Sequence, residues 1–363
     1  MSKHPEKKSA VIKAEKKLQD NGHVDWVDNL TKEQKQLLEL GIQHFLPWRY
    51  VENENSLSTP VRPEFDGSAI TKSGHSLNDL VAKGINSMNN LLELDIRFRS
   101  FLVAIHTDIK QMYNVIKLNP EHWRFQMYLF EKDLKEDVKP LTKVIKILIY
   151  GEKSSGNQAE CCLRRLTSSL AGKFPNAARS IISDTYVDDC ALGCDGGVSP
   201  DELAASMDEL LSYGGFGTKG YTINGRPFLP SLSKDGVSIS VLGRRFNPEE
   251  DTIQLDIGPL NFNRKIRGKK IVDEKSGVVP KKLTMKICSG KVAEIFDISG
   301  FVAPILASFK IDLHDLILSR YGWDDSLSST DREMWIHNFQ VIEKLGGCKW
   351  NRLIVPYQKM LLV

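Results

Sequence analysis

The chain has 363 residues, 41% of them hydrophobic and 26% charged, with a formal net charge of +3. That length allows a core spread over two or three subdomains, and no apolar run reaches the length of a membrane span. The Lys-rich N-terminus has no apolar leader core, so an intracellular, non-secreted protein is expected. The six cysteines (Cys161, Cys162, Cys190, Cys194, Cys288, Cys348), without CxxC spacing or zinc-finger histidines, are expected to be free thiols.

In chain order, residues 1–40 read as polar and helical, with six lysines and two glutamates in the first seventeen positions. Val24-Asp25-Trp26-Val27 interrupts this pattern before a second helix over 31–40. Val61-Arg62-Pro63-Glu64-Phe65-Asp66-Gly67 reads as a short extended segment, whose arginine would meet a phosphate or pair with Asp66. Ser76-Leu77-Asn78-Asp79 starts a helix and 91–97 is helical. The unbroken run Phe101-Leu102-Val103-Ala104-Ile105 then predicts a strand buried on both faces, ending in His106-Thr107-Asp108. A carboxylate at the mouth of such a strand needs a partner, either a helix N-terminus or a metal ion.

A hairpin-like pair follows at 125–130 and 144–150, then the loop Gly151-Glu152-Lys153-Ser154-Ser155-Gly156 and a helix over 158–170. The β-branched residues Ile181, Ile182, Thr185 and Val187 predict a strand over 178–187, and Ala191-Leu192-Gly193-Cys194 resumes the apolar run. Asp188 and Asp189 therefore fall at the tip of a β-hairpin. Adjacent carboxylates repel, and a divalent cation would hold both; an Asx-type turn is the ordinary alternative. Together with Asp108 they form a set able to hold two Mg²⁺ ions, the arrangement for in-line phosphoryl transfer.

Ser199-Pro200-Asp201-Glu202 is a strong helix start, with an apolar stripe of Leu203, Met207, Leu210 and Leu211 and a stop at Gly214-Gly215. A strand over 237–246 with a tight Gly243, a turn over 247–251 and a returning strand over 252–257 come next. Alternation puts Arg244 and Arg245 on opposite faces of a regular strand. Residues 264–286 carry nine basic residues against two acidic ones (Asp273, Glu274), a balance of +7 that leaves −4 for the remainder. Such a stretch is either a phosphate-binding segment or a solvated Lys-rich loop. Beyond it, 304–320 is helical on an Ile305, Phe309, Leu313, Leu316 stripe, with His314 at the surface; Trp323-Asp324-Asp325 reads as a loop and 332–345 as a further helix.

Tyr186-Val187-Asp188-Asp189 after an apolar segment, with Asp108 and Tyr113 at Asp-x-x-x-x-Tyr spacing upstream, resembles the palm of a reverse transcriptase. Further motifs stand in order: Arg62-Pro63-x-Phe65-Asp66-Gly67-Ser68-Ala69, Ser76-Leu77-Asn78-Asp79, and Ile149-Tyr150-Gly151-x-Lys153-Ser154-Ser155-Gly156-Asn157-Gln158-Ala159-Glu160. With them the chain resembles, from about residue 40 to about 355, the BEL/Pao group of long-terminal-repeat retrotransposons.

The resemblance implies an α+β right-hand polymerase of fingers, palm and thumb, its antiparallel palm sheet backed by helices. An N-terminal helical extension would occupy 1–40, fingers 41–100 and 119–155, and palm 101–118 and 156–258. The palm would include the catalytic hairpin and primer grip, and a basic connector with a helical thumb would take 259–363. The implied activity is RNA-directed DNA synthesis, adding dNTPs to a primer annealed to an RNA or DNA template, with two Mg²⁺ ions or Mn²⁺ in their place. Asp108, Asp188 and Asp189 would be catalytic metal ligands, joined by the Ile109 carbonyl. Arg62, Tyr113 and Lys153 would bind the nucleotide, Tyr113 lying beneath the deoxyribose. Tyr186, Leu242, Gly243, Arg244, Lys269 and Lys270 would contact primer and template.

Three departures stand out. Tyr150 takes the place of a Gln of viral reverse transcriptases, Gly156 that of a Pro, and Glu64 that of an apolar residue, where its charge would oppose phosphate. Related elements carry a protease upstream and RNase H and integrase regions beyond; neither a protease Asp-Thr/Ser-Gly signature nor an RNase H carboxylate set is legible, so these are expected to be absent from the chain. An inactive or domesticated retroelement fragment that binds nucleic acid is the alternative, and an RNA-dependent RNA polymerase a third.

Overall fold

A computed structural model describes residues 5–52, 61–132, 134, 138–194, 197–227, 236–262, 265–266, 269–270 and 278–354. The chain divides into two compact units. The first comprises Met1–Asn89, Thr107–Cys190 and Asp201–Gly220, and the second Asn90–His106, Ala191–Pro200 and Tyr221–Val363. The strands Val103–Asp108 and Asp189–Cys194 both cross the division.

In the first unit, the helix Pro5–Asp20 leads into the edge strand Val24–Trp26. That strand pairs antiparallel with Leu141–Ile145 (Val24 opposite Ile145), which pairs in turn with Met127–Phe130. The second strand of the expected hairpin thus ends earlier than 144–150. Residues 146–148 run beside 116–118 instead, through Leu118 N to Lys146 O and Leu148 N to Ile116 O. Burial explains why the N-terminal segment docks here. Glu15, 3% exposed, accepts from Lys143 Nζ at 2.7 Å, from Tyr50 at 2.7 Å and from the Tyr128 hydroxyl. A carboxylate taken out of water is tolerated only with such a full set of partners. The helix Lys32–Glu39 starts on a capping box between Thr31 and Gln34, and Trp48–Glu52 and Val61–Phe65 form an antiparallel ribbon.

Three helices complete this unit. Ser155–Leu170 buries Ala159, Leu163 and Thr167 along one side. Pro200–Ser212 buries Leu203, Met207, Leu210 and Leu211, the stripe expected from the sequence, and Gly215 takes the left-handed conformation after it (φ 74°). The third corrects an expectation: Pro175–Asp184 is a helix, and only Thr185–Tyr186 is strand. Proline at the first turn, and buried Ala177, Ala178, Ile181 and Asp184 at helical spacing, outweigh the β-branched content of that segment.

In the second unit, Val103–Asp108 pairs with Thr222–Ile223 through Ile105 opposite Ile223. A four-stranded antiparallel sheet has the order Ile239–Val241, Arg244–Asn247, Thr252–Leu255, Trp350–Asn351. The single strand expected over 237–246 is broken at Leu242-Gly243, where both residues have positive φ (48° and 76°) and turn the chain into a tight hairpin. Met285–Ala293, Ala303–Leu318 and Ser329–Leu345 are helices packed around Trp335, Phe339, Phe309 and Leu316. In the basic stretch, Lys265–Ile266 pairs with Lys269–Lys270, while Arg264, Arg267, Asp273, Glu274 and Lys275 lie outside the described residues. Among the described residues no helix is long and apolar enough to cross a membrane.

Candidate active site

The Asp pair occupies a two-residue hairpin in the first unit. Thr185 is opposite Cys190 and Tyr186 opposite Asp189, so Val187 and Asp188 make the turn. Val187 has φ 58°, a region that a β-branched side chain enters only under strain. The base of the hairpin is clamped from outside. Asn89 Nδ2 donates to the carbonyls of Ile182 (2.9 Å) and Thr185 (2.8 Å), and Asn89 Oδ1 accepts from Arg164, whose Nε bonds the buried Glu160 at 2.7 Å.

Asp108 is brought to this turn by a backbone bond, Ile109 N to Asp188 O at 2.8 Å. The Asp188 carboxyl titrates above the ordinary carboxylate value, chiefly through burial and next through the charge of Asp108, with Asp189 adding to the rise and Lys219 opposing it. Lys219 Nζ donates to Asp108 Oδ2 at 3.1 Å. The structure therefore brings the three acids into one electrostatic neighbourhood. Among the described residues no group of three His, Cys, Asp or Glu side chains forms a ready metal shell. The donors nonetheless suit Mg²⁺ in kind, being hard carboxylate oxygens with a backbone carbonyl beside them.

Aromatic rings flank the acids. Tyr113 and Tyr150 lie with centroids 4.4 Å apart at 46°. Both phenols are raised, first by burial and then by the Asp188 charge; Tyr150 reaches about 12, so it stays a neutral donor, and Arg62 acts on it in the opposite sense. Gly156 faces Tyr113, its absent Cβ position 3.5 Å from the Tyr113 hydroxyl.

Arg62 stands on the strand Val61–Phe65, and Glu64 beside it is already engaged. Glu64 bonds Arg49 at 3.0 Å and lies 3.8 Å from Arg62. The expected pairing of Arg62 with Asp66 is thus replaced by Glu64. Asn78 joins the two loops next to this strand: its amide donates to Gly151 O at 2.9 Å, its Oδ1 accepts from Lys153 N at 2.7 Å, and its own N bonds Gly67 O. The Lys153 side chain is exposed, and its charge acts on Asp79.

The other expected contacts lie in the second unit. Leu242 is buried and Gly243 forms the turn described above. Arg244 requires a correction as a phosphate contact. It is 1% exposed, paired with Asp95 and bonded to Ser299, so no part of its guanidinium faces solvent. Its neighbour Arg245 is the partly exposed one and bonds Gly346 O and Asp256. Lys269 and Lys270 lie on the short ribbon, described in backbone only.

Sequence reasoning missed Lys219 and gave Tyr150 only a negative role. The one available signal for Lys219 was its setting, a single cation in Gly214-Gly215-Phe216-Gly217-Thr218-Lys219-Gly220, where small residues let backbones approach closely.

Residues 284–362 match the family described as Pao retrotransposon-like RNaseH-like domain. The match supports a BEL/Pao retrotransposon origin for the chain. It falls on the segment expected as thumb, and its RNaseH-like description is one the sequence did not lead us to expect inside the chain. No curated protein matches this sequence.

Proposed function

We propose that the chain is the polymerase portion of a BEL/Pao-type retroelement, an RNA-directed DNA polymerase of right-hand architecture that extends a primer on a nucleic-acid template. The observation that carries this reading is the grouping of Asp108, Asp188 and Asp189 about one strained hairpin turn, with Tyr113 and Tyr150 beside it. In the reaction, a primer 3′-hydroxyl attacks the α-phosphate of a dNTP and pyrophosphate leaves. Asp108, Asp188 and Asp189 would hold Mg²⁺, with the Ile109 carbonyl; the ions would acidify the attacking hydroxyl and neutralise charge on the phosphates.

This chain's own groups supply the rest. Arg62 meets the triphosphate, and Glu64 weakens it less than its charge alone implies because Arg49 shares that carboxylate. The Tyr113 ring supports the sugar and disfavours a 2′-hydroxyl by bulk, while Tyr150, protonated at neutral pH, offers an O–H donor from the adjacent wall. The Leu242-Gly243 turn and the Lys269–Lys270 ribbon are the proposed primer and template contacts.

Primer extension on poly(rA)/oligo(dT) with Mg²⁺ tests this reading. Incorporation of dNTP is expected, and Asp188→Asn should reduce it by roughly three orders of magnitude. Tight, salt-sensitive duplex binding without incorporation would instead identify a non-catalytic fragment. Incorporation of rNTPs by the unmodified chain would point to an RNA polymerase.

The family match favours a second reading, a nuclease centred on residues 284–362. Against it, acids of that segment are engaged singly: Asp297 by the N–H groups of Phe301 and Val302, Asp312 by Asn338, Asp325 by Gly322 N, and Asp331 by Tyr321 and Ser328. Cleavage of an RNA–DNA hybrid that persists in Asp188→Asn would establish it.

A further inference from the structure

Asp108 is held by a segment to which the reaction above gives no role. Residues 217–220 lie antiparallel to 107–110. Lys110 N donates to Gly217 O at 2.7 Å and Lys219 N to Asp108 O at 3.0 Å, Ile109 stands opposite Thr218, and Thr107 Oγ1 donates to Gly220 O at 2.8 Å. The start of the segment is fixed as well, by Phe216 N on Leu211 O at 3.1 Å and by Thr218 Oγ1 on Asp208 at 2.8 Å. Strand register therefore delivers the Lys219 side chain to Asp108, where Nζ and Oδ2 meet at 3.1 Å.

An ammonium and a divalent ion compete for the same carboxylate oxygens, and each repels the other. We propose that Lys219 is a resident counter-ion: it neutralises Asp108 when no divalent cation is bound, yields that place when one arrives, and thereby sets the cation affinity of the site. The proposal rests on the reading of Asp108, Asp188 and Asp189 as metal ligands. The exposure of the pair suits exchange. Lys219 and Asp108 side chains are 45% and 34% exposed, so the ammonium can swing into water on its flexible stem at small cost, which a buried pair would not allow.

The test is Mn²⁺ binding to the full chain without nucleotide or nucleic acid, read from the spin resonance of free Mn²⁺. Lys219→Gln removes the competing charge and keeps the backbone bonds that hold the segment. It should bind Mn²⁺ roughly fivefold more tightly than the wild type, the scale of an exposed ion pair. Lys219→Arg keeps the charge and should stay near wild type, and Asp108→Asn should lose affinity. The rise in melting temperature on adding Mn²⁺ should likewise be larger for Lys219→Gln than for the wild type. Equal or weaker binding by Lys219→Gln, with binding still dependent on Asp108, would overturn the role of Lys219 and leave the metal reading standing. Absence of Mn²⁺ binding from wild type and Lys219→Gln alike would overturn both.

Discussion

Glu160 shows how much the Asp188 hairpin owes to groups outside it. Its side chain is buried on the helix Ser155–Leu170; Oε1 accepts from Arg164 at 2.7 Å, while Oε2 is buried without a partner. Arg164 then reaches Asn89, which holds the Ile182 and Thr185 carbonyls. Burial raises the Glu160 carboxyl above the ordinary glutamate value, and Arg164 offsets only part of this. The folded chain therefore holds that proton more tightly than the unfolded chain does. Stability attributable to Glu160 falls as pH rises from 4.5 through the raised value, and is constant above it. Gln imitates the protonated form at every pH. Glu160→Gln should match the wild type in acid and gain on the order of 1 kcal/mol at pH 7, as read from urea midpoints across the pH range. A gain confined to acid would contradict this account. The sequence carried no sign of it, because a Glu four residues before an Arg on a helix reads as an ordinary surface pair.

At the scale of elements, what was legible followed local rules, and what was not depended on neighbours. The helix over 31–40, the helix start at Ser76, the Pro200 helix start and the Leu203, Met207, Leu210, Leu211 stripe are short-range patterns, and each forms where expected. The strand ending at Asp108 was legible for the same reason, whereas at Asp188 the turn and the returning strand were legible but the incoming strand was not, being helical up to Asp184. The break at Leu242-Gly243 was not, since a leucine in the left-handed region follows no local preference. The loop at Gly151 combines both cases: its glycines were visible, their purpose was not. Gly151 has φ 102°, and a Cβ would collide with the Phe65 carbonyl oxygen; the Cβ position of Gly67 lies 2.7 Å from Gly151 O. These two glycines let the loop meet the end of the Val61–Phe65 strand that carries Arg62, with Asn78 tying the contact. Gly151→Ala should cost roughly 3 kcal/mol or more in unfolding free energy. It should also expose the amide of Lys153 to hydrogen exchange, and unchanged protection there would count against the proposed role of the contact.

For the whole molecule, the segment that carries the retroelement match is part of the second unit's frame and not an appendage to it. The strand Trp350–Asn351 closes the sheet against Thr252–Leu255, and Arg352 follows it into the interior at 0% exposure. Every donor of that guanidinium is used: Nε and Nη2 on Asp251 (2.6 and 3.0 Å), Nη1 on the Phe98 and Phe101 carbonyls (2.7 and 2.8 Å), and Nη2 also on Leu102 O (3.3 Å). Residues separated by some 250 positions are joined there by one side chain. No periodicity encodes such a contact, so the sequence said nothing of Arg352. Arg352→Ala leaves three carbonyls and the partly exposed Asp251 carboxylate without their donor, a loss on the order of 3 kcal/mol. Hydrogen exchange should show protection falling in Leu91–Ser100 and Thr252–Leu255 while Met127–Phe130 of the first unit keeps its own. Protection that fell equally in both units would mean that they unfold as one body, and that the matched segment stabilises the Asp188 hairpin as well as the sheet it completes.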